Sequence, residues 1–167
     1  MAMLSLFETQ VVALAEALTA RGAMLVTAES CTGGLIAAAC TARAGSSDWF
    51  HGGLVSYSNA AKSAWLHVPA ALIDTHGAVS EPVARAMAEG ALAASDAQFS
   101  VAVTGIAGPG GGSATKPVGT VWLAWGVAGG ATQAAVHVFP GDRDAVREAT
   151  VQCALAGVLR LVQGEAA

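Results

Sequence analysis

Two short apolar runs, Met24-Leu25-Val26-Thr27 and Phe99 to Val103, each lead into a turn-rich segment. The first meets Glu29-Ser30-Cys31-Thr32-Gly33-Gly34, and the second meets the loop Thr104 to Pro117. A compact apolar run without polar alternation reads as a strand covered on both faces, which requires helices on either side of a sheet. The Ala-rich stretch Leu35 to Ala42 supplies a helix directly after the first turn, so the opening unit is strand, turn, helix.

The flanking segments fit this frame. Leu6, Val11, Leu14, Ala15 and Leu18 recur at helical spacing before Arg21-Gly22. Leu54 to Tyr57 reads as a strand end and Asn59 to Leu66 as a short helix. Ser80 is a candidate N-cap, with Pro82 in the first turn of a helix continuing through Val83 to Ala94. Val118 to Val127 and Ala134 to Phe139 flank Gly129-Gly130 as a hairpin, and Asp142 caps a last amphipathic helix. The expected fold class is therefore α/β: a three-layer α/β/α sandwich with a mixed, mostly parallel sheet and a closing hairpin. No repeat or linker divides the chain, so residues 1–167 read as a single domain.

Composition narrows the function classes. Apolar residues make up 54% and charged residues 12% of the chain, against about 45–50% and about 25% in ordinary globular proteins, which excludes a disordered chain. A net charge of −4 argues against general nucleic-acid binding, which needs clustered Lys and Arg. The longest uncharged stretch, Pro117 to Gly141, is broken by Thr120, Gly126 and Gly129-Gly130, so no membrane span is expected. Met1 to Glu8 carries no basic leader and ends in an acid, which argues against secretion. Cys31, Cys40 and Cys153 are odd in number and lack Cys-x-x-Cys spacing, so neither a disulfide framework nor a zinc site is indicated. Reduced thiols in the cytoplasm are the expectation. His51, His67, His76 and His137 lie singly, without the i, i+4 spacing of a helical metal pair, so no metal and no cofactor are expected. A homo-oligomer is expected only because such assemblies are common.

Four segments could carry chemistry. Around Ser30, a strand end delivers hydroxyls and a thiol to a helix N-terminus, where free N–H groups favour an anion or a developing oxyanion. Taken alone, a capping Ser30 or Thr32 and a buried apolar Cys31 are the more ordinary reading. In Val55-Ser56-Tyr57-Ser58-Asn59-Ala60-Ala61-Lys62, a phenol and an amine stand one short turn apart. Lys62 could serve as a general base if its surroundings lowered its pKa. The segment Thr104-Gly105-Ile106-Ala107-Gly108-Pro109-Gly110-Gly111 permits close backbone approach to a phosphate or ribose, yet it matches neither a Walker A loop nor Gly-x-Gly-x-x-Gly. Arg143 and Arg147 follow Asp142 one helical turn apart, where cations oppose the helix dipole. A phosphate clamp and pairing with Asp144, Glu148 or a neighbouring subunit explain them equally well.

Together with Lys116-Pro117-Val118-Gly119-Thr120, these segments resemble, in order and over essentially the whole chain, the CinA C-terminal domain family. Stand-alone bacterial members of that family are nicotinamide-nucleotide amidases. The resemblance implies hydrolysis of the carboxamide of nicotinamide mononucleotide, a small-molecule pyridine nucleotide, to nicotinate mononucleotide and ammonia. On that basis Ser30 is the expected nucleophile, Lys62 its base and later proton donor, and Tyr57 the residue that orients Lys62 or relays a proton. N–H groups near Thr32, Gly33 and Gly34 are expected to hold the oxyanion. Thr104, Gly105, Ala107 and Gly108, with Arg143 or Arg147, are expected to bind ribose and phosphate. Cys31 is the rival nucleophile, because a thiolate at a helix N-terminus is intrinsically the stronger one. The contrasting expectation is a competence-associated partner-binding protein that keeps a nucleotide pocket.

Overall fold

The computed structural model describes residues 2–167; Met1, the first residue of the stretch Met1 to Glu8 read above, lies outside the described residues. In chain order the elements are α1 (Ala2–Ser5), α2 (Glu8–Arg21), β1 (Leu25–Glu29), α3 (Leu35–Thr41), β2 (Phe50–Val55), α4 (Asn59–Leu66), α5 (Ala70–His76), α6 (Glu81–Ala93), β3 (Phe99–Gly105), β4 (Thr120–Val127), β5 (Gln133–Val138) and α7 (Arg143–Val162). One five-stranded sheet runs in the order β2-β1-β3-β4-β5. β1 is parallel to both β2 and β3, whereas β4 runs against β3 and β5 against β4. Four strands thus point one way, and the closing hairpin makes the sheet mixed.

Alternation along the strands feeds two cores. Leu25, Val101, Val103, Val121, Leu123 and Trp125 pack on one face with Val11, Leu14 and Leu18 of α2, Ile36 of α3 and Leu155 of α7. Val26, Ala28, Ala102 and Ala124 face Leu66 of α4, Ile73 of α5 and Met87 of α6 on the other. This is the three-layer arrangement expected for buried parallel strands. The α6 backbone crosses α4 so closely that a Cβ at Gly90 would fall 2.0 Å from Leu66 O.

Several local details differ from the sequence reading. The first helix breaks before Glu8, leaving Leu6 53% exposed and Phe7 buried. Phe7 is in phase with Val11, Leu14 and Leu18 at steps of four, three and four residues, and Leu6 is not. β2 starts at Phe50, with its Gly52-Gly53 pair inside the strand. A side chain at Gly53 would meet Thr27 Oγ1 at 2.6 Å and Ala37 Cβ at 3.0 Å, so the glycine lets α3 lie against the sheet. α5 was not foreseen; it lies between Pro69 and Gly77, with Ile73 as its buried side chain. Ser80 occupies the N-cap position of α6 without capping it, because its hydroxyl donates backwards to Gly77 O at 2.8 Å. Asp142 does cap α7, with Oδ1 accepting from the Ala145 N–H at 2.9 Å.

Candidate active site

The C-terminal ends of the three parallel strands lie side by side, with Glu29 in register with Val55 on one side and Val103 on the other. Pairing continues one step further, since the Ser30 N–H donates to Val103 O at 3.1 Å. Strand alternation then sends Glu29 and Ser30 to opposite faces. Ala28, two residues before Ser30, packs against the layer of α4, α5 and α6, and Lys62 projects from α4.

Lys62 is 1% exposed, and its Nζ lies 3.0 Å from each of three atoms: Ser30 Oγ, Ser56 O and Tyr57 O. Among the described residues no carboxylate pairs with it. Burial lowers its pKa from the ordinary 10.5, an effect that the neighbouring Cys31 opposes. A neutral amine has two N–H donors and one lone pair, and two of the three neighbours can only accept. In that form the two carbonyls would take both donors and leave the lone pair for the Ser30 hydroxyl proton, whereas an ammonium donates to all three neighbours, Ser30 Oγ included. Tyr57 O, 3.5 Å from Ser30 Oγ, is a longer alternative acceptor for that proton.

Tyr57 thus meets Lys62 through its carbonyl. The residue is 58% exposed, and its hydroxyl accepts from Arg143 Nη2 at 3.4 Å. Arg143 Nη1 donates to Gly108 O at 2.7 Å. These two residues, Cys31 and the loop from Gly105 to Gly111, including Ala107 and Gly108, line a cavity of about 230 Å³ that adjoins the Ser30–Lys62 pair. Ser30 and Lys62 themselves line neither this cavity nor the larger grooves of about 400 Å³ and 500 Å³, which are lined from α2 and α3 and from α4, α5 and α6; Cys31 and Tyr57 are what join the cavity to the pair. Gly105 is required by packing: a Cβ there would sit 2.6 Å from Val121 Cγ2 and 2.8 Å from Thr120 O. Lys116 ties the far end of the loop to α5 by donating to His76 O at 3.0 Å.

The remaining candidates are held by protein partners. The Thr104 hydroxyl donates to Ala78 O at 2.9 Å. Arg147 Nη2 donates to Thr32 O at 3.1 Å, and its Nη1 lies 3.5 Å from Asp144 Oδ1. The Gly33 N–H donates to Ser30 O at 3.0 Å. Glu29 is the residue to which sequence reasoning gave no role. Its buried carboxylate accepts from Thr32 Oγ1 at 2.6 Å and from the N–H groups of Gly34, Ile36 and Ala37 at 3.1, 3.0 and 2.9 Å. An acid at the end of a buried strand, just before a helix, was the available signal, because a buried carboxylate needs donors and a helix N-terminus offers them. The anion seat expected at α3 is thus filled from within. Among the described residues the N–H groups of Cys31 and Thr32 donate to no oxygen, and the Cys31 N–H lies against its own thiol. Burial and the Glu29 charge push the Cys31 thiol up to about 12, which makes it a poor nucleophile at neutral pH.

Residues 8–162 match the model of the CinA C-terminal domain. The chain belongs to the CinA C-terminal domain family. This CinA domain is 55% identical over 148 residues to a nicotinamide-nucleotide amidohydrolase PncC of Pseudomonas putida, covering 89% of this chain and 92% of that protein. It is 53% identical to the protein of the same name from Escherichia coli K12, covering 84% of this chain and 85% of the relative. A CinA-like protein of Mycolicibacterium vanbaalenii is 53% identical over 143 residues, and the CinA domain spans 34% of its length. The crystal structure of the competence/damage inducible protein CihA from Agrobacterium tumefaciens superposes with a TM-score of 0.90 at 46% identity, covering 94% of this chain and 95% of that one.

Proposed function

We propose that the chain hydrolyses the carboxamide of nicotinamide mononucleotide, releasing nicotinate mononucleotide and ammonia. The relatives named as nicotinamide-nucleotide amidohydrolases support the reaction. The observation that carries the residue assignment is the set of three neighbours around Lys62 Nζ.

In this reading Ser30 Oγ attacks the amide carbon while Lys62 Nζ takes its proton. The N–H groups of Cys31 and Thr32 receive the oxyanion. The Lys62 ammonium then protonates the departing nitrogen, ammonia leaves, and an ester to Ser30 remains. Water attacks that ester as Lys62 takes one proton from it. Collapse of the second tetrahedral species returns that proton from Lys62 to Ser30 Oγ and frees the carboxylic acid, which loses its remaining proton to solvent to give the carboxylate product. Arg143 and the glycine loop hold the phosphate-bearing end in the adjoining cavity, so remote binding energy orients the carboxamide.

Ammonia release from nicotinamide mononucleotide by the unmodified protein, Ser30→Ala and Cys31→Ala tests this reading. Ser30→Ala is expected to fall to background while Cys31→Ala retains most of its turnover. Full activity in Ser30→Ala removes the serine from the mechanism.

A further inference from the structure

The two arginines at the start of α7 stand one helical turn apart, yet they face different tasks. Arg143 borders the cavity beside Tyr57 and the glycine loop. Arg147 is not among the residues lining it, and both arms of its guanidinium point at protein atoms, Thr32 O and Asp144 Oδ1.

Thr32 is the residue that Arg147 restrains. It is fully buried, its hydroxyl donates to Glu29 Oε2 at 2.6 Å, and its carbonyl accepts both from the Leu35 N–H at 3.2 Å and from Arg147. Its own N–H is the polar group with no partner among the described residues. The next two residues, Gly33 and Gly34, have φ of +60° and +95°. The Thr32 carbonyl shares its peptide with the Gly33 N–H, which donates to Ser30 O at 3.0 Å, and the Thr32 N–H lies on the other side of the Thr32 Cα, where the left-handed glycines do little to fix it. A charge-assisted bond from a guanidinium to a carbonyl is directional and stronger than a neutral one.

We propose that Arg147 is a positioning residue of the amidase reaction: it holds the Thr32 carbonyl while Glu29 holds the Thr32 hydroxyl, so that the Thr32 Cα is pinned on two sides and the N–H on its third side keeps its place for the oxyanion, and it does not bind the substrate's phosphate. This rests on the reading above, in which that N–H is an oxyanion donor. An oxyanion donor acts on turnover more than on ground-state binding, because the charge it meets exists only in the transition state.

The test compares Arg147→Met and Arg147→Lys with the unmodified protein, on nicotinamide mononucleotide and on its phosphate-free nucleoside. Loss of one oxyanion donor costs roughly 10²–10³-fold in kcat, so a loosened donor should cost Arg147→Met about 10- to 100-fold. KM should stay within about threefold, because ground-state binding is not what Thr32 supplies. Arg147→Lys, with a single donor for Thr32 O, should recover part of the loss. The nucleoside should show the same fold-loss in kcat/KM. A rise in KM with kcat preserved, a penalty seen only on the nucleotide, or no penalty at all overturns the proposal. Melting temperatures are measured alongside, and if Arg147→Met is unfolded at the assay temperature, Arg147→Lys is read by the same kcat and KM criteria. Absence of ammonia release from the unmodified protein would instead remove the amidase reading itself.

Discussion

Replacing Lys62 by Met keeps most of the volume of the side chain and removes its nitrogen, so it probes the base while sparing the packing of α4. Three contacts of 3.0 Å disappear; Ser56 O is left without that donor, while Tyr57 O keeps the Ser30 hydroxyl at 3.5 Å. An abandoned buried acceptor costs about 1–3 kcal/mol, here offset by relief from burying an amine. Turnover should fall by at least about 10²–10⁴-fold, the usual contribution of a positioned general base. The two losses depend on pH in different ways. Burial depresses the Lys62 pKa, so between the folded value and 10.5 the unfolded chain binds a proton that the native protein does not. Stability contributed by this group therefore rises with pH across that window, by up to about 1.4 kcal/mol per pH unit, and is diminished as pH falls through the folded value. Met lacks this term. Urea unfolding over a pH series reaching about 10 should show the unmodified protein gaining stability relative to Lys62→Met as pH rises above the folded value of Lys62. In ammonia-release assays, kcat/KM of the unmodified protein should climb with pH along a one-proton limb that is missing from the residual activity of Lys62→Met. Near-normal turnover in the variant, or a stability difference that does not change with pH, would refute the assignment of a neutral, deprotonated base.

Two further outcomes follow from the geometry. Arg143→Met removes the cation bordering the cavity; because hydrogen bonds to charged groups contribute about 1.5–3 kcal/mol, KM for the nucleotide should rise roughly 10- to 100-fold with a smaller change in kcat, read from initial rates of ammonia release. Gly157→Ala places a Cβ 2.3 Å from Trp125 Cε2, and overpacking of this kind costs about 1–3 kcal/mol against about 1 kcal/mol regained in helix propensity, so a lower melting temperature with unchanged turnover is expected.

The features legible in the chain were those set by neighbours in sequence. Asp142 caps α7 because an acid at that position can reach the N–H three residues on, and the Gly129-Gly130 hairpin needs nothing beyond its own turn. α4 begins at Asn59 and ends at Leu66, as its flanking residues indicated, with the Ser58 hydroxyl accepting from the Ala61 N–H. Features set by tertiary partners were not legible. β1 extends through Thr27 and Glu29 because those polar side chains lie together next to the start of α3, where Glu29 finds donors; composition alone would end the strand earlier. The approach of Ser30 to Lys62 across 32 positions leaves no trace in periodicity and was expected only through family resemblance. Tyr57 attracted attention for its phenol, whereas the atom that meets the amine is its carbonyl, a group no residue type advertises.

That last feature bears on how the site tolerates change. The groups aiming the amine are main-chain oxygens, which every amino acid carries, so the exposed side chain at 57, unlike the fully buried one at 56, can be redesigned without removing the oxygen that holds the base. What must be preserved is the path of the backbone as it leaves the sheet and enters α4. An engineer seeking altered substrate preference can therefore vary the rim at Tyr57 while leaving the proton-transfer geometry intact, and should expect damage chiefly from insertions or deletions between the strand and the helix.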